Sequence, residues 1–158
     1  IVKAPWVTKT YYNSEDVTRL AKIPDGETFW HRMGDVGKLD EQNRLWFCGR
    51  KSHRVITHLE TLFTIPCEAL FNQHPDVKRS ALVGIGSGSY RKPVIIIEPE
   101  NKNRVVNNAF IQVLLEIAAS SSHTRSIKKV LFYPDFPVDV RHNAKIFREK
   151  LAAWAENQ

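Results

Sequence analysis

Trp30-His31-Arg32-Met33-Gly34-Asp35-Val36-Gly37-Lys38-Leu39-Asp40-Glu41-Gln42-Asn43-Arg44-Leu45-Trp46-Phe47-Cys48-Gly49-Arg50 is the stretch on which the reading of this chain turns. Apolar and aromatic runs flank a polar break, Asp40-Glu41-Gln42-Asn43, and that pattern predicts two short strands joined by a turn. Gly34 and Gly37 bracket Asp35-Val36 and leave the backbone there open to close approach. Gly49-Arg50 closes the stretch with a fixed charge. Towards the N-terminus, residues 28–33 read as a further strand and Pro24-Asp25-Gly26 as a turn. Asn13-Ser14 offers an N-cap for a short helix ending near Lys22, with Val17, Leu20 and Ala21 at helical spacing. Residues 1–12 read as a strand.

Beyond Arg50 the texture changes, and Lys51-Ser52-His53-Arg54 marks a domain boundary at about Lys51. Residues 55–57 and 62–65 read as short strands. Pro66 begins a short helix through 72, where its missing N–H costs little. A strand at 77–84 follows, then the flexible turn Gly86-Ser87-Gly88-Ser89. No Gly-Lys-Ser/Thr comes after it, so it is not a phosphate loop. Val94-Ile95-Ile96-Ile97 is continuous and β-branched, the mark of a strand buried on both faces. Val105, Val106, Ala109, Phe110, Val113, Leu114, Ile117 and Ala118 recur with a period near 3.6 and predict a helix. Residues 127–133 read as a strand. A last helix is expected over 143–155, with Asn143 as N-cap and Phe147, Leu151 and Trp154 on one face. After Lys51 the predicted order is β-β-α-β-β-α-β-α. The fold class expected is α+β: a β-rich first 50 residues, then a small mixed α/β unit.

Composition bounds the rest. The chain has 158 residues, 42% hydrophobic and 25% charged, which suits a globular protein of one medium domain or one small domain plus part of another. No apolar run approaches the ~18 residues of a membrane helix, and no signal peptide opens the chain. Its first residue is Ile1 rather than Met, so a piece of a longer protein is expected. Cys48 and Cys67 lack metal spacing and read as two reduced, buried thiols in a cytoplasmic protein. The net charge is +6 with a sequence pI near 9.4. The charges are dispersed, which favours a solvated surface first, a phosphate-bearing small molecule next and nucleic acid last.

Three residues could carry chemistry, and each has two readings. Lys145 falls in the first turn of the expected last helix. A cation there opposes the helix dipole, as at an anion site, or it is a solvated lysine bearing a small penalty. Asp35 could accept hydrogen bonds from a diol such as a ribose, or bond its own turn. Arg50 could meet a phosphate or ribose, or form a surface ion pair. The six histidines lie in different elements without metal spacing, and no Ser-His-Asp or Cys-His set stands out.

The 30–50 stretch also resembles the adenylate-forming superfamily of acyl-CoA synthetases, peptide-synthetase adenylation domains and luciferases. The family's Trp-x-Arg-Thr-Gly-Asp-x-Gly, Leu-Asp and Gly-Arg appear as Trp30 to Gly37, Leu39-Asp40 and Gly49-Arg50. Pro66-Cys67-Glu68 resembles its Pro-x-Glu, and Asn143-Ala144-Lys145-Ile146 its Ser-Gly-Lys-Ile. The resemblance implies that residues 1–50 end a large N-terminal adenylation domain and that 51–158 form a mobile C-terminal domain, hinged near Lys51. It gives Asp35 the ribose hydroxyls of ATP, Arg50 the same nucleotide, and Lys145 the charge developing between a carboxylate and the α-phosphate. ATP and Mg2+ are implied as cofactors, bound mainly by the part preceding this chain. A carboxylic acid is implied as substrate, and the chain alone is expected not to turn over.

Two departures narrow the resemblance. Met33 replaces Thr. The family's Ile-Lys-x-x-Gly becomes Val55-Ile56-Thr57-His58-Leu59-Glu60-Thr61, without a glycine where the CoA arm passes, which puts CoA in doubt. Together with Gly49-Arg50-Lys51-Ser52-His53-Arg54-Val55, this resembles the β-lactone synthetases of bacterial olefin biosynthesis. Those enzymes adenylate a long-chain β-hydroxy acid, whose own hydroxyl displaces AMP. A complex with other olefin-pathway enzymes would accompany that role. The alternatives are a fatty acyl-CoA synthetase or acyl-AMP ligase and, in another class, a non-catalytic interaction or nucleic-acid-binding module.

Overall fold

The computed structural model describes residues 1–102, 107–139 and 141–158, the side chains of 142–144 excepted. The first 50 residues hold helix α1 (Glu15–Ala21), hairpin β1–β2 (Lys22–Asp25, Thr28–His31) and hairpin β3–β4 (Asp35–Leu39, Leu45–Arg50). A 3-10 turn at Lys51–His53 leads to hairpin β5–β6 (Val55–Ile56, Thr61–Leu62) and helix α2 (Thr64–Phe71). Strands β7 (Val77–Ile85) and β8 (Lys92–Pro99), helix α3 (Asn108–Ala119) and strand β9 (Lys129–Phe132) follow. Hairpin β10–β11 (Val138–Asp139, His142–Ile146) and helix α4 (Arg148–Ala155) end the chain. The architecture is α+β, as expected. Among the described residues no helix is long and apolar enough to cross a membrane.

Strand β8 is the axis of the larger sheet, antiparallel to β7 and parallel to β9. Val94 to Ile97 are all fully buried. Ile95 and Ile97 join Phe71 of α2 and Phe110 and Leu114 of α3 on one face. Val94 and Ile96 join Leu151 and Ala155 of α4 on the other. Successive side chains of a strand point to opposite faces, so a continuous β-branched run suits a sheet covered on both sides. Each such side chain contributes roughly 1.5–3 kcal/mol by leaving water.

The 30–50 stretch folds as expected at its centre. Asp40 organises the β3–β4 turn: its carboxylate accepts from Trp46 Nε1 at 2.8 Å, Arg44 N at 2.9 Å and Gln42 N at 3.0 Å. These donors, Trp46 foremost, hold its carboxyl down at about 2. Asn43 takes the positive φ of 58° that closes the turn, which its short side chain tolerates.

Elsewhere the predicted elements need correction. Residues 1–12 are not a strand: Val2 alone bridges to His31, and a turn at Pro5 breaks the run. Lys22–Asp25 is a strand rather than a turn approach, because Pro24 occupies the edge of a two-stranded sheet where its missing N–H is tolerated. Thr64 and Ile65 belong to α2, not to a strand, so the helix begins ahead of Pro66. Helix α3 starts at Asn108, with the Asn107 side chain accepting from Phe110 N at 2.9 Å; Val105 and Val106 of the expected stripe lie outside the described residues. Both thiols are free, but Cys48 is only partly buried. Burial pushes the Cys67 thiol up to about 12.

The largest correction concerns the last helix, which is α4 from Arg148, not a helix from Asn143. Residues 142–146 fold back on Val138–Asp139 as β11. Ile146 packs against the α4-side core, and Phe147 N donates to Pro137 O at 2.8 Å. Lys145 therefore stands on a strand, and the helix-dipole argument for it falls away.

Candidate active site

Arg50 ends β4 directly across from Asp35, the first residue of β3. Its Nη1 lies 2.9 Å from Asp35 Oδ1 and donates to Met33 O at 2.9 Å. Asp35 thus meets a partner from the other strand. The pair is half-exposed, so it contributes about 0–1 kcal/mol to stability and serves mainly to hold a carboxylate and a guanidinium side by side. Lys51 N donates to Gly34 O at 2.8 Å, which ties the first residue after the Gly-Arg to the glycine before Asp35.

Gly49 makes the junction possible. One extra residue, Cys48, bulges β4 between its pairings to Val36 and Gly37, and Gly49 takes φ 117°. A Cβ there would collide with Thr64 Oγ1 at the start of α2. Gly49→Ala is expected to destabilise the protein by about 1–3 kcal/mol through that conformation and contact. Urea unfolding checks it, and a change under about 0.5 kcal/mol, typical of a neutral surface substitution, would contradict it.

A cleft of about 630 Å3 opens between this junction and the β10–β11 hairpin. Arg50 and His53 line it from one side, Arg141 and the exposed Lys145 from the hairpin, and Arg148 from the start of α4. Phe47 and Ile65, both half-exposed, supply apolar wall. The fold therefore gathers Lys145, Arg50 and, through its ion pair, Asp35, which lie up to 110 positions apart. Lys51 is not among the lining residues. Four cations beside an apolar wall suit an anion with a flat apolar part, the chemistry of a nucleotide or acyl phosphate.

Further participants escaped the sequence reading. Arg148 forms a bidentate pair with Glu68 of α2, Nη1–Oε1 2.5 Å and Nη2–Oε2 2.9 Å. Glu68 Oε1 also accepts from Leu82 N of β7 at 2.7 Å, so one buried carboxylate joins α2, α4 and the sheet. Burial pushes this carboxyl up, and Arg148 and the Leu82 N–H pull against that. Asp139 accepts from Arg141 N at 3.0 Å and orients the hairpin tip. His53 and Arg148 line this cleft and also a second one, of about 590 Å3. Burial first, then the charges of Arg148, Arg50 and Lys145, hold its imidazole below the ordinary range against the pull of Glu149. Its position three residues after Arg50 was the available signal, and a search confined to metal spacing passes over it.

No profile of a known protein family matches the chain. The curated sequences are more informative. An olefin β-lactone synthetase from Xanthomonas campestris pv. campestris is 48% identical over 165 residues, covering 99% of this chain and 29% of that protein. The chain is similar to olefin β-lactone synthetases along nearly its whole length. A second, from Stenotrophomonas maltophilia, is 44% identical over 98% of the chain, again 29% of the relative. The chain thus spans under a third of the length of these synthetases. The fold matches the anthranilate CoA ligase AuaEII, solved with anthranoyl-AMP, with TM-score 0.82 at 20% identity over 98% of this chain and 29% of that one. The fold is thus one found within that ligase, and the likeness to β-lactone synthetases runs through the cleft-lining segments.

Proposed function

We propose that this chain is the C-terminal portion of an ATP-dependent enzyme that activates a long-chain β-hydroxy fatty acid as acyl-AMP and closes it to a β-lactone. The observation that carries this is the 48% identity to an olefin β-lactone synthetase across a stretch that includes Asp35, Arg50 and Lys145. In this reading Asp35 accepts from the ribose hydroxyls of ATP and Arg50 contacts the same nucleotide. Lys145 stabilises the negative charge that builds as the substrate carboxylate attacks the α-phosphorus. The cation-rich lining of the cleft fits a polyphosphate ligand. Mg2+, which would neutralise phosphate charge when bound, is assigned to the part of the enzyme beyond this chain.

Residues 1–50 are then the end of the large adenylation domain and 51–158 a mobile domain, with Lys51 as the hinge. The backbone bond from Lys51 N to Gly34 O would be the contact that hinge motion has to strain or break. The hairpin β5–β6 keeps the glycine-free sequence at its tip, Leu59 standing fully out in solvent. That supports an intramolecular nucleophile over CoA. A cytoplasmic enzyme, able to contact others of an olefin pathway, completes the proposal.

The test is the full-length enzyme with ATP and a β-hydroxy acid, with and without CoA. Lactone and AMP are expected without CoA. Product that appears only as a CoA thioester would overturn the proposal. That outcome would favour the second reading, an acyl-CoA synthetase, to which the 27% identity with an indoleacetate–CoA ligase from Aromatoleum aromaticum points.

A further inference from the structure

Ring closure needs something the adenylation residues do not supply. When the β-hydroxyl oxygen bonds to the acyl carbon, the bond from that carbon to the AMP oxygen breaks and AMP leaves with the electron pair. The hydroxyl proton must go to a base. The candidate cleft is crowded with cations, which cannot accept it. Asp139, the carboxylate that lines the cleft among the described residues, is engaged by the Arg141 backbone and side chain, and the nearby Asp35 and Glu68 pair with Arg50 and Arg148.

His53 differs from all of them. It lines the same cleft as Arg50 and Lys145, within three residues of the Gly-Arg junction. Among the described residues no group hydrogen-bonds either of its ring nitrogens. It also borders the second cleft, whose walls include Leu82, Val83 and Ala152. We propose that His53 accepts the proton of the substrate's β-hydroxyl as the ring closes and later releases it to solvent. This rests on the lactone-forming reading above.

The facing charges are consistent with that task. Arg50 of β4, Lys145 of β11 and Arg148 of α4 all disfavour an imidazolium, and Glu149 of α4 alone favours it. Burial foremost, with these cations, holds the imidazole below its ordinary range and so favours the neutral form that can accept a proton.

The test uses full-length enzyme and follows acyl-AMP and lactone separately in single turnovers. In His53→Gln, lactone released per acyl-AMP formed is expected to fall about 100-fold, with acyl-AMP accumulating. Wild-type ring closure should decline as pH falls through an imidazole titration below the ordinary range, and His53→Gln should lose that limb. Added imidazole should restore part of the rate to His53→Ala. Undiminished lactone from His53→Gln would overturn the role of His53 while leaving the lactone reading intact. So would equal loss of both steps in the two variants, which marks a merely structural residue. Wild-type enzyme that makes acyl-AMP but no lactone would remove the reading and, with it, this inference.

Discussion

Lys145→Ala in the full-length enzyme is expected to lower acyl-AMP formation by about 10²–10³-fold, the usual cost of removing one preorganised donor from a developing charge. The physical reason is the meeting of two anions. A carboxylate attacking a phosphate needs a cation placed at the point of contact before the reaction, because bringing one in later costs reorganisation. Lys145 is exposed on β11, on the wall of the cleft opposite Arg50. Its neighbour Ile146 is partly buried and packs against the core covered by α4. That pairing fixes the strand and holds the lysine at the cleft. ATP–pyrophosphate exchange at saturating ATP measures the effect. Lys145→Arg should recover less than the charge alone suggests, since a guanidinium is larger and planar. Exchange by Lys145→Ala within a few-fold of wild type would remove Lys145 from the chemistry.

Breaking the Glu68–Arg148 pair should have the largest effect on stability. Glu68→Ala leaves a guanidinium with only 14% of its side chain exposed without its partner, and leaves Leu82 N without its acceptor. Removing one member of such a buried pair costs about 3–5 kcal/mol. Chemical unfolding gives the total, and hydrogen exchange at the Leu82 amide reports the local loss in the full-length enzyme. The double replacement Glu68→Met with Arg148→Met should recover much of it, because no buried charge is then left alone. A cost below about 1 kcal/mol for Glu68→Ala would show that water reaches the site and that the pair is not a joint between α2, α4 and the sheet. Because Arg148 also lines the cleft, the double variant separates its two parts: stability returns while one cation of the site is missing.

The legibility of this chain followed the range of the forces involved. The run Val94 to Ile97 predicted a strand buried on both faces, and it is the centre of the sheet, because a β-branched run with no polar side can be satisfied only there. The β3–β4 hairpin was readable for a similar reason: Asp40 and Asn43 make their turn bonds within six residues. The 143–155 stretch was misread because local cues compete there. Asn143 is a good cap and the residues after it have helical spacing. Pairing with Val138–Asp139 and the packing of a partly buried Ile146 against the core override both, and neither is visible within a local window.

The candidate site divides in the same way. Asp35, Arg50 and Lys145 stand in motif blocks that the sequence alone singled out, and the resemblance attached roles to them. Their being neighbours is a matter of tertiary structure. The hairpin register sets Asp35 against Arg50, and the return of β11 carries Lys145 to the cleft that Arg50 lines. Glu68 is the plainest case. Its place in Pro66-Cys67-Glu68 was evident, but its partner lies 80 residues away, and only the packing of α4 over the sheet brings the two charges together out of water. His53 is the other. Its closeness to Gly49-Arg50 is the one local sign that sets it apart, and its depressed titration depends on burial and on three cations that β4, β11 and α4 deliver to it. The order of motifs determined the family likeness and the fold class. Long-range packing decided which charges face one another, because the energy of a charge is set by what surrounds it in space.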